Sequence, residues 1–154
     1  MAKLVVSNLK EFKTWKGKAL PKGDWLVVTQ EMIDAFAKAT QDFQWIHVDV
    51  EKAEKLSPFR KPVAHGFLSL SLFSKMLGDL VTVKSAKMGL NYGLNKVRFP
   101  SPVLVDSRLR ISGSIVEVEP YGATGLKITW NCTAEIENSE KPACVAEFIS
   151  LLFE

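Results

Sequence analysis

Histidine and cysteine occur only twice each in 154 residues, which removes most metal-centre and disulfide architectures before any motif is considered. Cys132 and Cys144 lie in alternating apolar segments with no Cys or His at metal-ligand spacing, so they read as buried thiols in a reducing compartment. Charge of one sign is also scarce. Twenty Lys and Arg against 17 Asp and Glu leave a net +3, and no basic block carries interleaved aromatics. That balance argues against nucleic acid as a partner and leaves attraction to an anionic ligand open. No run of 18 apolar residues lacks a charge, and the segment Met1–Leu20 has no apolar core long enough for a secretion signal. A soluble cytoplasmic protein with no membrane partner is expected. The 47% hydrophobic and 24% charged residues suit one globular domain over residues 1–154. A domain of this size buries about 70% of its unfolded surface.

The first half of the chain reads as helical. Leu9, Phe12 and Trp15 give a loose helical spacing that stops at Gly17, ahead of Pro21, and Asp24 to Val28 is a short β-rich run. Thr29 can cap a helix from Gln30 to about Gln41, where Ile33, Phe36, Ala37 and Thr40 repeat at helical spacing. Asp49 to Lys55 reads as a second short helix, and Ser57 to Pro62 as a loop, since proline cannot continue a helix. From Gly66 to Leu77 apolar residues occupy nearly every face, the pattern of a buried helix.

The second half changes period. Met88 to Leu94, Val103 to Ile115 and Leu126 to Ile136 alternate apolar with polar residues, as half-buried antiparallel strands do, and Cys144 to Phe153 is apolar on both parities, as in a central strand. The sum is an α+β architecture, an antiparallel sheet of about four strands around one buried helix.

Both histidines fall near one aspartate, in Asp42-Phe43-Gln44-Trp45-Ile46-His47 and in Ala64-His65-Gly66. On a non-helical connection that curls, Asp42 and His47 can turn toward one point and hold a water between a carboxylate and an imidazole. Such a pair suits adding water across a double bond beside a carbonyl, one group taking a proton from water while the other supplies one to carbon. Gly66 opens the buried helix, where free N–H groups and the positive end of the helix dipole can meet a carbonyl oxygen. The same residues also fit plainer roles: a cap or surface pair for Asp42 and His47, a helix-start residue for His65, packing for Trp45.

The stretch Asp42 to His47, with Pro62-Val63-Ala64-His65-Gly66-Phe67 after it, resembles the MaoC-like dehydratase family, which includes the (R)-specific enoyl-CoA hydratases. Phe36, Ala39, Asp42, Ile46 and His47 fall on the family pattern, and Phe99-Pro100-Ser101-Pro102-Val103 looks like its Phe-x-x-Pro-Val signature. The resemblance covers roughly Trp25 to Arg110, and the Gln-Trp-Ile-His version is most similar to the nodulation-protein-N branch. It implies a hot-dog fold, usually a homodimer, acting on an acyl thioester of coenzyme A or an acyl carrier. The implied reaction is reversible syn hydration of a trans-2-enoyl thioester to its (3R)-3-hydroxy form, with neither metal nor organic cofactor. Asp42 and His47 would be the catalytic pair, Gly66 the amide that meets the thioester oxygen, and Ser74 a supporting serine. The chain departs from the family at Gln41, Gln44 and Trp45, and the last two are expected to touch the substrate, with Trp45 adding bulk where the acyl chain passes. A hot-dog acyl-CoA thioesterase and a non-catalytic acyl-CoA binding module are the rival readings.

Overall fold

The computed structural model of the chain describes residues 2–154. The helical half begins with a strand absent from the sequence reading. β1 (Leu4–Val6) precedes a single turn, α1 (Leu9–Phe12), capped by the Asn8 side chain and buried through Leu9 and Phe12. After a short β2 (Leu26–Val27), α2 (Gln30–Thr40) starts at Thr29, whose hydroxyl accepts the Met32 amide at 3.2 Å, and it buries Ile33 and Ala37. It ends because Gln41 adopts the left-handed conformation, φ 62°, which stops the ladder and throws Asp42 outward.

Two short helices follow, α3 (Trp45–Val48) and α4 (Val50–Leu56), the second capped by the Asp49 carboxylate on the Lys52 amide at 3.0 Å. The connection expected to be non-helical is therefore a helical turn at its far end, and that turn swings His47 inward. α5 (Gly66–Leu80) runs one turn further than its periodicity suggested, and β3 (Val81–Val83) leaves it to pair in parallel with β1. The expectation that α5 is buried on all sides does not hold. Leu68, Ser69, Leu72, Phe73, Met76, Leu77 and Leu80 face inward, whereas Phe67 is 69% exposed and Ser71, Ser74 and Lys75 face outward.

Four long strands complete the chain: β4 (Met88–Arg98), β5 (Arg108–Tyr121), β6 (Gly125–Ile136) and β7 (Cys144–Phe153). With β2 they form one antiparallel sheet in the order β2-β5-β6-β7-β4. α5 packs across β5, β6 and β7, so that Phe73, Leu77 and Leu80 share one core with Ile111, Ile115, Ile128 and Trp130. Each such buried side chain contributes about 1.5–3 kcal/mol by leaving water. This antiparallel sheet curled about a long helix is the hot-dog fold.

β7 lies inside the sheet, in keeping with its apolar character, but β4 is the edge and departs from its half-buried reading. Met88, Leu90, Tyr92 and Leu94 are all more than 40% exposed. Alternation marks a face that wants cover, and this chain alone does not provide it. Val103 and Val105 also leave the expected strand. They form a strip beside the segment before α5, with Ala64 N–H bonded to the Val103 carbonyl at 2.7 Å and Val105 N–H to the Pro62 carbonyl at 2.9 Å. Val63 N–H in turn reaches the Ile46 carbonyl at 3.0 Å, so residues 62–65 are clamped between α3 and this strip. That clamp fixes where α5 begins.

Candidate active site

The site is built where the end of α2, the turn α3 and the start of α5 meet. His47 is 7% exposed, and its Nδ1 lies 2.6 Å from the Val63 carbonyl oxygen. A carbonyl only accepts, so Nδ1 carries the hydrogen and Nε2 is left with a bare lone pair. The clamped strip that positions α5 thus also sets the tautomer of His47. Burial of the ring is the largest influence on its titration and pushes the pKa down, with the Val63 carbonyl opposing; the neighbouring His65 lowers it further and Asp42 raises it. The net shift is below the ordinary value of 6.5, so the ring stays neutral and basic at neutral pH.

Asp42 is exposed, with one carboxylate oxygen accepting the Gln44 amide at 3.3 Å. The structure brings its side chain to His47 and also to His65: donor atoms of the three lie within 4.8 Å of one another. The sequence marks His65 only as a helix-start residue, and here the structure goes further. Its ring is 4% exposed and stacks on that of His47 with centroids 3.8 Å apart, while Nε2 sits 3.0 Å from the Asp42 carbonyl oxygen and 3.9 Å from its carboxylate. The signal was present, since His65 is the only other imidazole in the chain and adjoins the glycine singled out for its amide. Two imidazoles and a carboxylate are also a set that could hold a divalent ion. One imidazole nitrogen of each histidine, however, is already occupied by a carbonyl.

Gly66 is the first residue of α5, and neither its N–H nor that of Phe67 meets a protein acceptor among the described residues. These are the orphan donors of a helix start, oriented with the positive end of its dipole. The Phe99 ring lies against Gly66, 3.3 Å from where a β-carbon would stand, and packs edge-on to Phe67 with centroids 6.0 Å apart.

The remaining predicted residues take the following places. Gln44 takes part through its backbone, its carbonyl accepting the His47 N–H at 3.0 Å, while its side chain is exposed. Trp45 is half-buried with the Lys52 ammonium 5.0 Å above its ring, an arrangement that ties it to α4. Ser74 lies eight residues along α5 from Gly66, about 12 Å at 1.5 Å per residue, and donates to Asn91 Oδ1 at 3.3 Å.

Ser74 instead lines an apolar groove between α5 and the sheet, a cavity of ≈ 450 Å³ walled by Leu77, Val81, Leu90, Trp130 and Phe148. A smaller one of ≈ 180 Å³, bounded by Leu70, Ser71 and Leu94, adjoins it through Ser74, Asn91 and Phe148. Neither is lined by Asp42, His47 or Gly66.

The profile of the MaoC like domain matches residues 11–135, most of the chain. The chain belongs to this family. Its relatives include 3-hydroxyacyl-thioester dehydratase Z of Mycobacterium tuberculosis strain H37Rv, 49% identical over 133 residues, which covers 86% of this chain and 87% of that protein. Nodulation protein N of Rhizobium leguminosarum bv. viciae is 45% identical over 137 residues, 88% of this chain and 85% of that protein. Among solved structures, the monoamine oxidase regulatory protein from Archaeoglobus fulgius superposes with a TM-score of 0.75 at 24% identity, over 100% of this chain and 99% of that one. Membership of the MaoC-like family with a dehydratase at this level of identity places the chain among the hydro-lyases.

Proposed function

We propose that this MaoC-like protein is an (R)-specific enoyl-thioester hydratase and dehydratase, interconverting trans-2-enoyl and (3R)-3-hydroxyacyl thioesters of coenzyme A or an acyl carrier. The observation that carries the reading is the pairing of a buried His47, whose Nε2 lone pair is freed by the Val63 carbonyl, with Asp42 beside the start of α5, where the Gly66 and Phe67 amides meet no protein acceptor among the described residues.

In the hydration direction the thioester oxygen meets the Gly66 and Phe67 amides, which draw electron density from C3 and stabilise the enolate that forms. One such donor contributes about 3 kcal/mol as charge builds on oxygen. A water held between the Asp42 carboxylate and the neutral His47 ring attacks C3, His47 Nε2 takes its proton, and Asp42, which orients the water, relays that same proton to C2. The product gains one hydroxyl and one hydrogen, both from the same water, and the dyad is left as it began. Because the His47 pKa is lowered, the ring remains able to accept a proton below pH 6.5, and activity is lost on the acid side only beneath that value.

The apolar groove along α5 suits the acyl tail, and the uncovered β4 edge with its exposed Met88, Leu90, Tyr92 and Leu94 suits pairing with a second copy, so the working form is proposed as a homodimer. The test is a progress assay on crotonyl-CoA and longer enoyl thioesters, with the product analysed by a dehydrogenase specific for the 3R isomer and free thiol trapped in parallel. Consumption of enoyl thioester with a 3R product and no thiol release supports the proposal. Thiol release without hydration makes the protein a thioesterase, and tight binding without turnover makes it a binding module.

A further inference from the structure

His65 is a buried imidazole to which the hydration scheme gives no task. A packing role would be met by phenylalanine, since its neighbours include the Phe36 ring with centroids 4.9 Å away. The imidazole brings one N–H and one cost. Its Nε2 faces the Asp42 carbonyl, which can only accept, so the neutral ring carries its hydrogen on Nε2; Nδ1 is then a buried lone pair without a partner among the described residues. Leaving a buried acceptor unsatisfied is unfavourable. The one N–H bought at that cost is directed at the backbone of one member of the dyad, while the face of the same ring lies on the other member.

We propose that His65 is a positioning residue for both halves of the dyad: Nε2–H pins the main chain of Asp42 in the turn after α2, and the ring face holds the plane in which His47 presents Nε2 to water. The proposal rests on the hydration reading of the same site. Asp42 needs such a hold. It is exposed, follows a left-handed residue, and among the described residues has only the long 3.3 Å bond from the Gln44 amide besides. His47 is gripped at one edge by the Val63 carbonyl, and without the His65 face the imidazole can rock about that bond.

The stack has an electrostatic consequence as well. The titratable groups facing His65 are His47 and the Asp42 carboxylate, and those facing His47 are His65 and Asp42. Protonating one ring of a face-to-face pair disfavours protonation of the other. His65 therefore helps keep His47 in its basic form as the pH falls.

A chain with only two histidines makes this measurable without substrate. Nitrogen and carbon NMR of the imidazoles should show His65 as the Nε2–H tautomer and His47 as Nδ1–H. In His65→Phe the remaining imidazole should titrate at higher pH than in the wild type. With crotonyl-CoA the same variant should lose about tenfold to a hundredfold in kcat with little change in KM, the loss expected when a reacting group moves by about 1 Å. His65→Gln, whose amide can donate to the same carbonyl, should recover most of that rate. An Nδ1–H tautomer for His65 in the wild type overturns the proposal with no variant needed. So does a His65→Phe protein with wild-type kcat and an unmoved His47 titration, or equal losses in the two variants that merely follow a lower melting temperature. If the wild type hydrates no enoyl thioester, the functional reading fails while the tautomer and titration still decide whether His65 holds the two groups.

Discussion

Gly66→Ala separates the work of the amide from the stability of the helix it begins. The added methyl would stand 3.3 Å from the Phe99 ring, closer than side chains ordinarily sit, so the ring must give by a few tenths of an ångström. Phe99 is 41% exposed and can give. Alanine is also the better helix former, by about 0.5–1 kcal/mol, so folding stability should stay level or rise slightly. The displaced ring and the methyl, however, crowd the approach to the two free N–H groups at the start of α5. If a thioester oxygen binds there, losing one well-placed donor contact removes about 3 kcal/mol from the transition state, roughly a hundredfold in kcat. The assay is the fall in enoyl-thioester absorbance on crotonyl-CoA, with urea unfolding in parallel. Gly66→Ala combined with Phe99→Leu, which removes the crowding ring, should recover part of the rate. A Gly66→Ala protein as active as the wild type would refute the placement of the thioester oxygen at this amide.

Three further outcomes follow from the fold. A β-carbon on Gly113 would stand 2.0 Å from the Asn131 carbonyl oxygen across the β5–β6 ladder, so Gly113→Ala should cost about 3 kcal/mol by urea unfolding; a change within about 0.5 kcal/mol would contradict it. Burial pushes the Cys132 and Cys144 thiols up, to about 12 and about 11, so neither should react with a thiol reagent at pH 8 until the protein unfolds, and labelling of the native protein would count against this packing. Partial burial pushes the Glu135 carboxyl up, but hydrogen bonds from Lys22, Arg110 and Ser112 outweigh it and hold its pKa at about 2, against 4.5 unperturbed. A depressed carboxylate stabilises the fold fully above its unfolded pKa and progressively less as pH falls through the folded one. Glu135→Gln should therefore flatten the loss of stability between pH 4.5 and 2, and an unchanged acid slope would argue against the Lys22–Glu135–Arg110 cluster.

Local chemistry made much of the fold readable. Thr29 as a cap predicted the start of α2 and the proline-rich loop the gap before α5, because each acts on the backbone within a few residues. What failed depended on distant partners. The alternation of Met88 to Leu94 shows that one face seeks cover but cannot say that β4 ends up at the edge of the sheet. Val103 and Val105 look like strand residues, yet they spend their backbone bonds on residues 62–64. The helical nature of the apolar run from Gly66 was plain, while its open face at Phe67, Ser71 and Ser74 was hidden by the serines and the lone exposed aromatic.

The site was legible in a similar way. The Asp42 and His47 spacing was visible, but the Val63 carbonyl that fixes the His47 tautomer lies 16 residues on and is joined to α3 only through the fold. His65 seemed a mere neighbour of Gly66 because no sequence pattern places its ring on that of His47. Trp45 packs under the Lys52 ammonium, the third residue of the following helix α4, a contact between neighbouring elements that no residue pattern announces. Gln41, one of the departures from the family pattern, takes the left-handed conformation that favours glycine, and so forms the turn that presents Asp42.

The central claim is that Asp42 and His47 together carry the proton transfers of hydration. The most direct measurement is the steady-state rate on crotonyl-CoA for the wild type, Asp42→Asn and His47→Gln, with circular dichroism confirming that each is folded. General acid–base groups contribute about 10²–10⁴-fold. Each variant is expected to lose kcat by that order with KM little changed, and the double variant to be scarcely worse than either single one, since the two groups act as a unit. Wild-type rates in either folded variant would contradict the account.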